Sequence, residues 1–450
     1  MSTKNVIVIG GGIAGLAASI YLARGGRRVT VFERRPHLGG RAVTHLRRGY
    51  RFNLGPHAFY RGGPGWQVCR ELGVPVRGGI PDGSGVAMLG GDRYRFPGSF
   101  LKLLTTNLLP LAARFEAAKL FLRIRRFDPK RFSDVTAREW LDANVANDRL
   151  RQTMEALFRL ATYSDHADEQ SAAAALGQLR LAMRGVVYVD EGWQRIVDAL
   201  HGAAVSAGVT FVTSSHIVGV EHDGSAVQAI ALGELEQDLQ RSSTRSMAMP
   251  RMDEDARGTR LPASDVILAV DPTTVGDLVD GLEWAPMRPV LATCLDVALQ
   301  SLPREKPKFA LGIDRPLYYS VHSAWAQLTP KGGALIHVAK YRKSGAANDE
   351  EIESTGSRRT PSAAGDETEL ESVLDEMQPG WRERIVHRRF LPSMTVSNAL
   401  VRPGVARPAA VTPVKGLYLA GDWVGDEGIL SDAALASART AAKAILASAG

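Results

Sequence analysis

Four consecutive apolar, β-prone positions, residues 6–9 (VIVI), run into three glycines and then into small, apolar helix formers. A short apolar run closed by glycine reads as a strand buried on both faces, and residues 13–23 read as the helix that follows it. Gly25 and Gly26 stop that helix, and residues 28–32 (RVTVF) return as a second strand ending at Glu33. The far end repeats the pattern. Residues 417–420 (LYLA) predict a buried strand, Gly421-Asp422 breaks it, and Ser431 or Asp432 would cap a helix reaching residue 447. Residues 208–224 and 263–272 carry strand patterns between these ends. In residues 100–127, Leu104, Leu108, Leu111 and Phe115 recur at helical spacing beside Lys102, Arg114, Lys119, Arg123, Arg125 and Arg126. Residues 234–262 and 343–368 are polar, poor in large apolar side chains and read as loops or disordered segments.

The first strand, turn, helix and second strand come in the order that a dinucleotide demands. Gly10, Gly12 and Gly15 form G-x-G-x-x-G. The first glycine permits a tight turn, the second lets a pyrophosphate approach the backbone, and the third lets helix and strand pack closely. The helix start, with Ile13 and Ala14, then offers free N–H groups and a favourable dipole to an anion. Glu33 is placed to bond ribose hydroxyls and disfavours a 2′-phosphate, although Arg34 and Arg35 blur that exclusion. FAD and NAD both remain on these residues.

The chain has 450 residues and is 45% hydrophobic, enough for two packed domains. Its net charge of +7 selects no partner by itself, and without zinc-finger spacing or an aromatic-basic RNA motif nucleic acid is not expected. Two cysteines, Cys69 and Cys294, cannot make a disulfide framework, which suits a reducing compartment. The apolar run after Lys4 is not expected to be a signal peptide, and no span of membrane length stands out, so a cytoplasmic protein is expected. The segment 100–127 leaves two readings: peripheral contact with an anionic membrane, or a helix pair roofing a substrate cavity. Asp165, His166, Asp168 and Glu169 look like metal ligands, but no second ligand set accompanies them; a solvated turn is expected, and no metal.

Taken together, VIVIGGGIAG, Glu33, GGRA at residues 39–42, NLGPHAF at 53–59 and YLAGDW at 418–423 resemble one superfamily. It is that of the FAD-dependent oxidoreductases comprising flavin amine oxidases, protoporphyrinogen oxidases and phytoene desaturase-like enzymes. The resemblance implies an α/β fold: a Rossmann-type FAD-binding domain (GR2-like) with an inserted α+β substrate domain. The FAD domain is expected at 1–75, 185–275 and 400–450, and the substrate domain at 76–184 and 276–399. It puts Gly10, Gly12 and Gly15 at the pyrophosphate, Glu33 with neighbouring Arg34 at the ribose, and Gly39, Gly40 and Arg41 along the phosphates. Val218 would meet adenine through its backbone. Gly421 and Asp422 would hold the ribityl-pyrophosphate region, and the turn from Gly428 through Ile429, Leu430 and Ser431 would face the flavin N1–C2=O edge. Gly55, Pro56 and His57 would lie near the isoalloxazine. With no cysteine near the C-terminal end, the FAD is expected to be noncovalent.

The implied activity is hydride transfer from an apolar organic substrate to flavin N5, forming C=C or C=N. His57 is the candidate base; a histidine that only packs its turn is the alternative. No second dinucleotide fingerprint is found, so electrons would pass to oxygen, a quinone or a redox protein. Two other activities remain: an amine or amino-acid oxidase releasing peroxide, and a flavin-binding protein without turnover. Tyr318, Tyr319, His322 and Trp325 are candidates for the cavity lining or for the core alone.

Overall fold

The computed structural model describes residues 5–126, 128–233, 259–343 and 361–448. Strand Asn5–Ile9 is central in a five-stranded sheet. It pairs in parallel with Arg28–Phe32 on one side and Asp265–Leu268 on the other. Thr210–Val212 and Leu417–Leu419 complete the edges, both parallel. Parallel neighbours need crossovers, and both faces are then covered, which explains the uninterrupted apolar VIVI. Helix Ile13–Arg24 buries Leu16, Ile20 and Leu22 completely on this sheet. The C-terminal helix Leu430–Ala447 packs beside it, so residues from both ends of the chain share one hydrophobic core.

The cap expected of Ser431 or Asp432 is not what starts that helix. Its N-cap is Ile429, without a side-chain hydrogen bond, and Leu430 takes a positive φ of 58°. Asp432 bends away to accept the Gly65 N–H at 2.8 Å, because its carboxylate is packed against the turn before helix Pro64–Leu72.

The second sheet has seven strands. Its long central strand, Val290–Leu299, is antiparallel to Ala334–Tyr341 and to Ile385–Ser397. Leu317–Val321 and Phe309–Gly312 extend it, and Val86–Leu89 and Asp92–Arg95 end it. One face, carrying Leu295, Val297, Ile336, Val338 and Tyr319, packs on Leu370, Val373, Leu374 and Met377 of helix Pro361–Met377.

The two loop expectations are corrected at their edges. Arg260–Pro262 is a strand paired with Val227–Leu232, and helix Pro361–Met377 takes in the last residues of the second stretch. Residues 234–258 and 344–360 lie outside the described residues.

The apolar stripe of residues 100–127 is also redrawn. Two helices form, Phe100–Thr105 and Leu111–Arg126, separated by a bend that ends at Pro110. A proline is tolerated at a helix start but not inside one, so the stripe cannot stay in phase across it. Leu108 is buried in the bend, whereas Leu111 and Phe115 are 64% and 60% exposed. The second helix buries the smaller residues Ala113 and Ala117 with Leu120 and Ile124 instead. Among the described residues, no helix is long and apolar enough to cross a membrane.

Candidate functional site

The glycine turn is built backbone against backbone. Gly10 has φ +106°, and a Cβ there would stand 2.5 Å from the Ala269 carbonyl oxygen. A Cβ on Gly15 would stand 2.0 Å from the Gly10 carbonyl oxygen. These two glycines close the turn. Gly12 differs: nothing lies within 4 Å of where its Cβ would be, and it pairs with Gly39 across an isolated bridge. Gly40, with φ +55°, opens towards Gly12. The result is a cradle of bare backbone at the start of helix Ile13–Arg24. That helix has no side-chain cap and no acid in its first turn, so its N-terminal N–H groups and dipole favour an anion.

Glu33 ends the second strand beside this turn. One carboxylate oxygen accepts the Gly11 N–H at 2.7 Å and the other the Arg35 N–H at 2.9 Å. Arg34 is exposed next to it. The segment leading to Val218 is tied here, because Ser215 N–H bonds the Glu33 carbonyl and Ser214 N–H that of Arg35. Val218 itself is 47% exposed on strand Ile217–His222.

The opposite wall comes from the C-terminal end. Asp422 is 3% exposed, and Arg41 reaches it with an Nη2–Oδ1 distance of 2.8 Å. Asn398 adds its backbone N–H and its side-chain amide, each at 2.9 Å. Burial works against the charge on Asp422, but Arg41 and Asn398 outweigh it and hold the carboxyl below its ordinary range. Arg407 donates to the carbonyl oxygens of Asp422 and Gly428, at 3.1 and 2.8 Å, and so fixes both ends of the turn. Gly421 N–H bonds Ser437 Oγ at 3.0 Å. Asn398 and Arg407 escaped the sequence reading because their contacts, to the Asp422 carboxylate and to the Asp422 and Gly428 carbonyls, lie outside any local motif.

Gly55, Pro56 and His57 form a turn packed on the second sheet: a Cβ on Gly55 would meet the Met394 and Cys294 sulfurs. His57 donates from Nδ1 to the Gly55 carbonyl at 3.1 Å and sets its ring edge-on to Trp193. Burial lowers its pKa to about 4, leaving a neutral ring at physiological pH. Asn53 Oδ1 accepts from Trp193 N–H and Thr44 Oγ1, joining this turn to the start of helix Gln194–Ser206.

The face of the second sheet that looks away from helix Pro361–Met377 carries buried polar groups, several missed from the sequence. Asp296 and His337 are wholly buried, with Nδ1 and Oδ1 2.5 Å apart. Arg389 holds the other Asp296 oxygen and also donates to the Asn53 carbonyl. Burial opposes the Asp296 charge; His337 and Arg389 overcome this and bring its pKa to about 2. Cys294 lies 3.1 Å from Asp296 and stays a thiol, its pKa raised by burial and by that carboxylate. His322 stacks on Tyr188 at 3.8 Å and meets the Tyr318 hydroxyl at 3.0 Å. Cys294, Asp296 and His337 offer metal-type ligand atoms within 4.8 Å of one another. The Asp296 carboxylate is already bound by the Arg389 guanidinium, so a further cation there would meet like charge.

The acidic turn at residues 165–169 is solvated only in part. His166 is buried, Asp165 pairs with Arg159 at 2.9 Å, Asp168 pairs with Arg138, and Glu169 pairs with Arg288. Arg159 and Arg288 tie Asp165 and Glu169 to neighbouring elements, while Asp168 stays exposed beside Arg138.

Residues 13–281 match the family described as flavin containing amine oxidoreductase. The chain belongs to that family. Membership brings a flavin with it; Glu33, Gly39, Gly40 and Arg41 fall within the matched residues, whereas Gly10, Gly12 and the C-terminal wall at Asn398, Arg407 and Asp422 lie outside them. AofH of Mycobacterium tuberculosis, named as a flavin-containing monoamine oxidase, is 30% identical over 216 residues, 45% of this chain and 44% of its own. This chain therefore spans under half the length of that relative. A 4,4′-diaponeurosporene oxygenase of Staphylococcus aureus is 44% identical over 54 residues, 12% of this chain and 11% of its own. The crystal structure of an oxidoreductase from Methanosarcina mazei superposes with a TM-score of 0.73 at 19% identity, covering 98% of this chain and 100% of that one. That likeness is one of fold.

Proposed function

We propose that the chain is an FAD-dependent oxidoreductase that takes a hydride from an organic substrate and leaves a C=C or C=N bond. The observation that carries this is the meeting of Arg41 with Asp422 beside the bare backbone of Gly12 and Gly40. The residues present fit the cofactor: an uncapped helix start, an open glycine cradle, a ribose acid and a buried carboxylate across from them.

Gly10, Gly12, Ile13, Ala14 and Gly15 would hold the pyrophosphate, with Gly39, Gly40 and Arg41 along it. Glu33, Arg34 and the Val218 backbone would hold the adenosine, and Gly421, Asp422, Gly428, Ile429 and Leu430 the ribityl and ring end. Gly55, Pro56 and His57 would lie against the ring. FAD, when bound, supplies the hydride acceptor. Residues 1–75, 185–275 and 400–450 would form its domain, and 76–184 and 276–399 the substrate domain. The cofactor would be held without a covalent bond, since no cysteine lies near the C-terminal turn that would face the ring.

The chain's own groups exclude water and orient the substrate. The buried aromatic set Tyr188, Tyr318 and His322 beside the 53–57 turn is suited to an amine as well as to an alkene precursor. AofH's name favours the amine reading, with peroxide as product, and the diaponeurosporene oxygenase's favours the lipophilic one. His57 is the first candidate for moving a proton near the ring. Electrons would leave to oxygen, a quinone or a redox protein.

Contact with an anionic membrane surface is proposed for helix Leu111–Arg126. Leu111, Phe115 and Leu122 are exposed on it, and Arg123, Arg125 and Arg126 fill its last turn. A cavity of about 310 Å³ lined by Arg125, Arg180, Met183 and Arg184 adjoins its end. The protein would otherwise be cytoplasmic. The deciding experiment for activity is anaerobic mixing of the purified yellow protein with primary amines and with polyenes. Bleaching by an amine selects the oxidase, and bleaching by a polyene selects the desaturase. Flavin that neither probe nor dithionite reduces indicates a binding protein instead.

A further inference from the structure

Four neighbouring strands of the second sheet place one residue each in a single cross-strand row. Asp296 of strand Val290–Leu299 is in register with Arg389 on one side and His337 on the other. His337 is in register with Ser320 of strand Leu317–Val321. Directly opposite residues are the closest pairs a sheet can make, so Arg389, Asp296 and His337 touch without any loop to position them. Asp296 and His337 are wholly buried, and a buried charge is tolerated only when paired and hydrogen-bonded. Arg389 and His337 do this for Asp296.

The pairing fixes the imidazole. An ionised carboxylate only accepts, so His337 Nδ1 carries the hydrogen that faces Asp296 and Nε2 is the ring atom turned away from it. That Nε2 is buried and has no hydrogen-bond partner among the described residues; the same holds for Nδ1 of neighbouring His322. The two rings are 4.4 Å apart. Buried polar atoms are almost always satisfied, and two orphans side by side mark a place where a ligand's polar group belongs. The location is specific. Arg389 bonds the Asn53 carbonyl, and the Gly55 turn rests on Cys294 two residues from Asp296.

We infer that His337, held by Asp296 and Arg389, accepts the proton that a substrate loses next to the carbon giving up its hydride. The inference rests on the flavoenzyme function proposed above and assigns a role within it. A substrate H–C–X–H, with X nitrogen or carbon, becomes C=X. The hydride, with both electrons of the C–H bond, goes to the flavin as oxidant. The proton on X goes to His337 Nε2, and the X–H electron pair forms the new π bond. The resulting imidazolium faces Asp296, which stabilises it as in any carboxylate–imidazole pair. His57 is less well equipped, because its Nδ1 hydrogen is committed to a backbone carbonyl rather than to a carboxylate. Arg389, Cys294, His322, His57, Tyr188 and Tyr318 are the other titratable groups around this ring. Asp296 is a positioning residue.

The test uses flavin-loaded protein labelled with ¹⁵N-histidine. His337 signals are assigned by their loss in His337→Gln or, should that variant not fold, in His337→Asn. The expected result is a neutral ring protonated at Nδ1 and bare at Nε2. That preference should be lost in Asp296→Asn, and the Nε2 shift should move when dithionite reduces the flavin. A wild-type ring protonated at Nε2, or shifts unchanged on reduction, overturns the assignment. Failure of the broader function reads differently: colourless protein that takes up no flavin.

Discussion

Arg41 and Asp422, far apart in the chain, face each other with 2.8 Å between guanidinium nitrogen and carboxylate oxygen. Arg41 is about half exposed and Asp422 buried, so the arginine reaches in from the rim to a fixed acid. Asp422→Asn removes the charge but leaves an amide that can still meet Asn398. It is expected to weaken flavin affinity by about 10- to 100-fold, the cost of one charge-assisted bond, on the order of 1.5–3 kcal/mol. Fluorescence titration of apoprotein with FAD checks it. The far-ultraviolet spectrum should stay that of the wild type.

Glu33→Ala should also weaken FAD binding and leave the fold intact, since its carboxylate makes only two backbone bonds, to the Gly11 and Arg35 N–H groups. Equilibrium dialysis against FAD measures this. Full occupancy in the variant would count against placing Glu33 at the ribose.

Gly12 and Gly15 should separate binding from folding. A Cβ at Gly15 collides with the Gly10 carbonyl oxygen, whereas one at Gly12 enters open space. Gly15→Ala is therefore expected to lower the melting temperature of the apoprotein. Gly12→Val should melt as wild type yet fail to bind FAD, because its side chain fills the cradle. Calorimetry with and without FAD distinguishes them.

Asp432 gives a pH dependence of defined sign. Burial, and to a smaller degree Glu427, raises its pKa to about 7 against the bond from Gly65. Unfolded, an aspartate titrates near pH 4. Between those values the folded protein holds a proton that the unfolded chain has released. Stability should thus fall as pH rises from about 4 to about 7, by up to about 1.4 kcal/mol per pH unit. Asp432→Asn should flatten that slope in urea titrations across this window.

How much of this was legible in the sequence depends on the range of the contacts. The glycine turn, its helix and the strand 28–32 were readable because backbone approach leaves a local signature in glycine spacing. The C-terminal strand and the end of the last helix were readable too, but its cap was not, since Asp432 is drawn to Gly65 in a distant segment. Asp296 and His337 sit in otherwise apolar strands, and only the register of the sheet shows that they pair. The stripe from Leu104 to Phe115 misled because Pro110 breaks the phase that periodicity assumes.

Helix Leu111–Arg126 should bind anionic surfaces through side chains that do not support the fold. Leu111→Ser with Phe115→Ser is expected to alter stability by less than about 0.5 kcal/mol per site, as exposed positions do. The same pair should reduce co-sedimentation with phosphatidylglycerol vesicles, and unchanged sedimentation would leave the helix as a cavity roof.

The most direct measurement is the cofactor content of the purified chain, read by absorption and by chromatography of what acid releases. One FAD per chain, freed completely by acid, lowered in Asp422→Asn and lost in Gly12→Val, is the predicted result. Colourless protein that takes up no FAD on reconstitution would contradict the account.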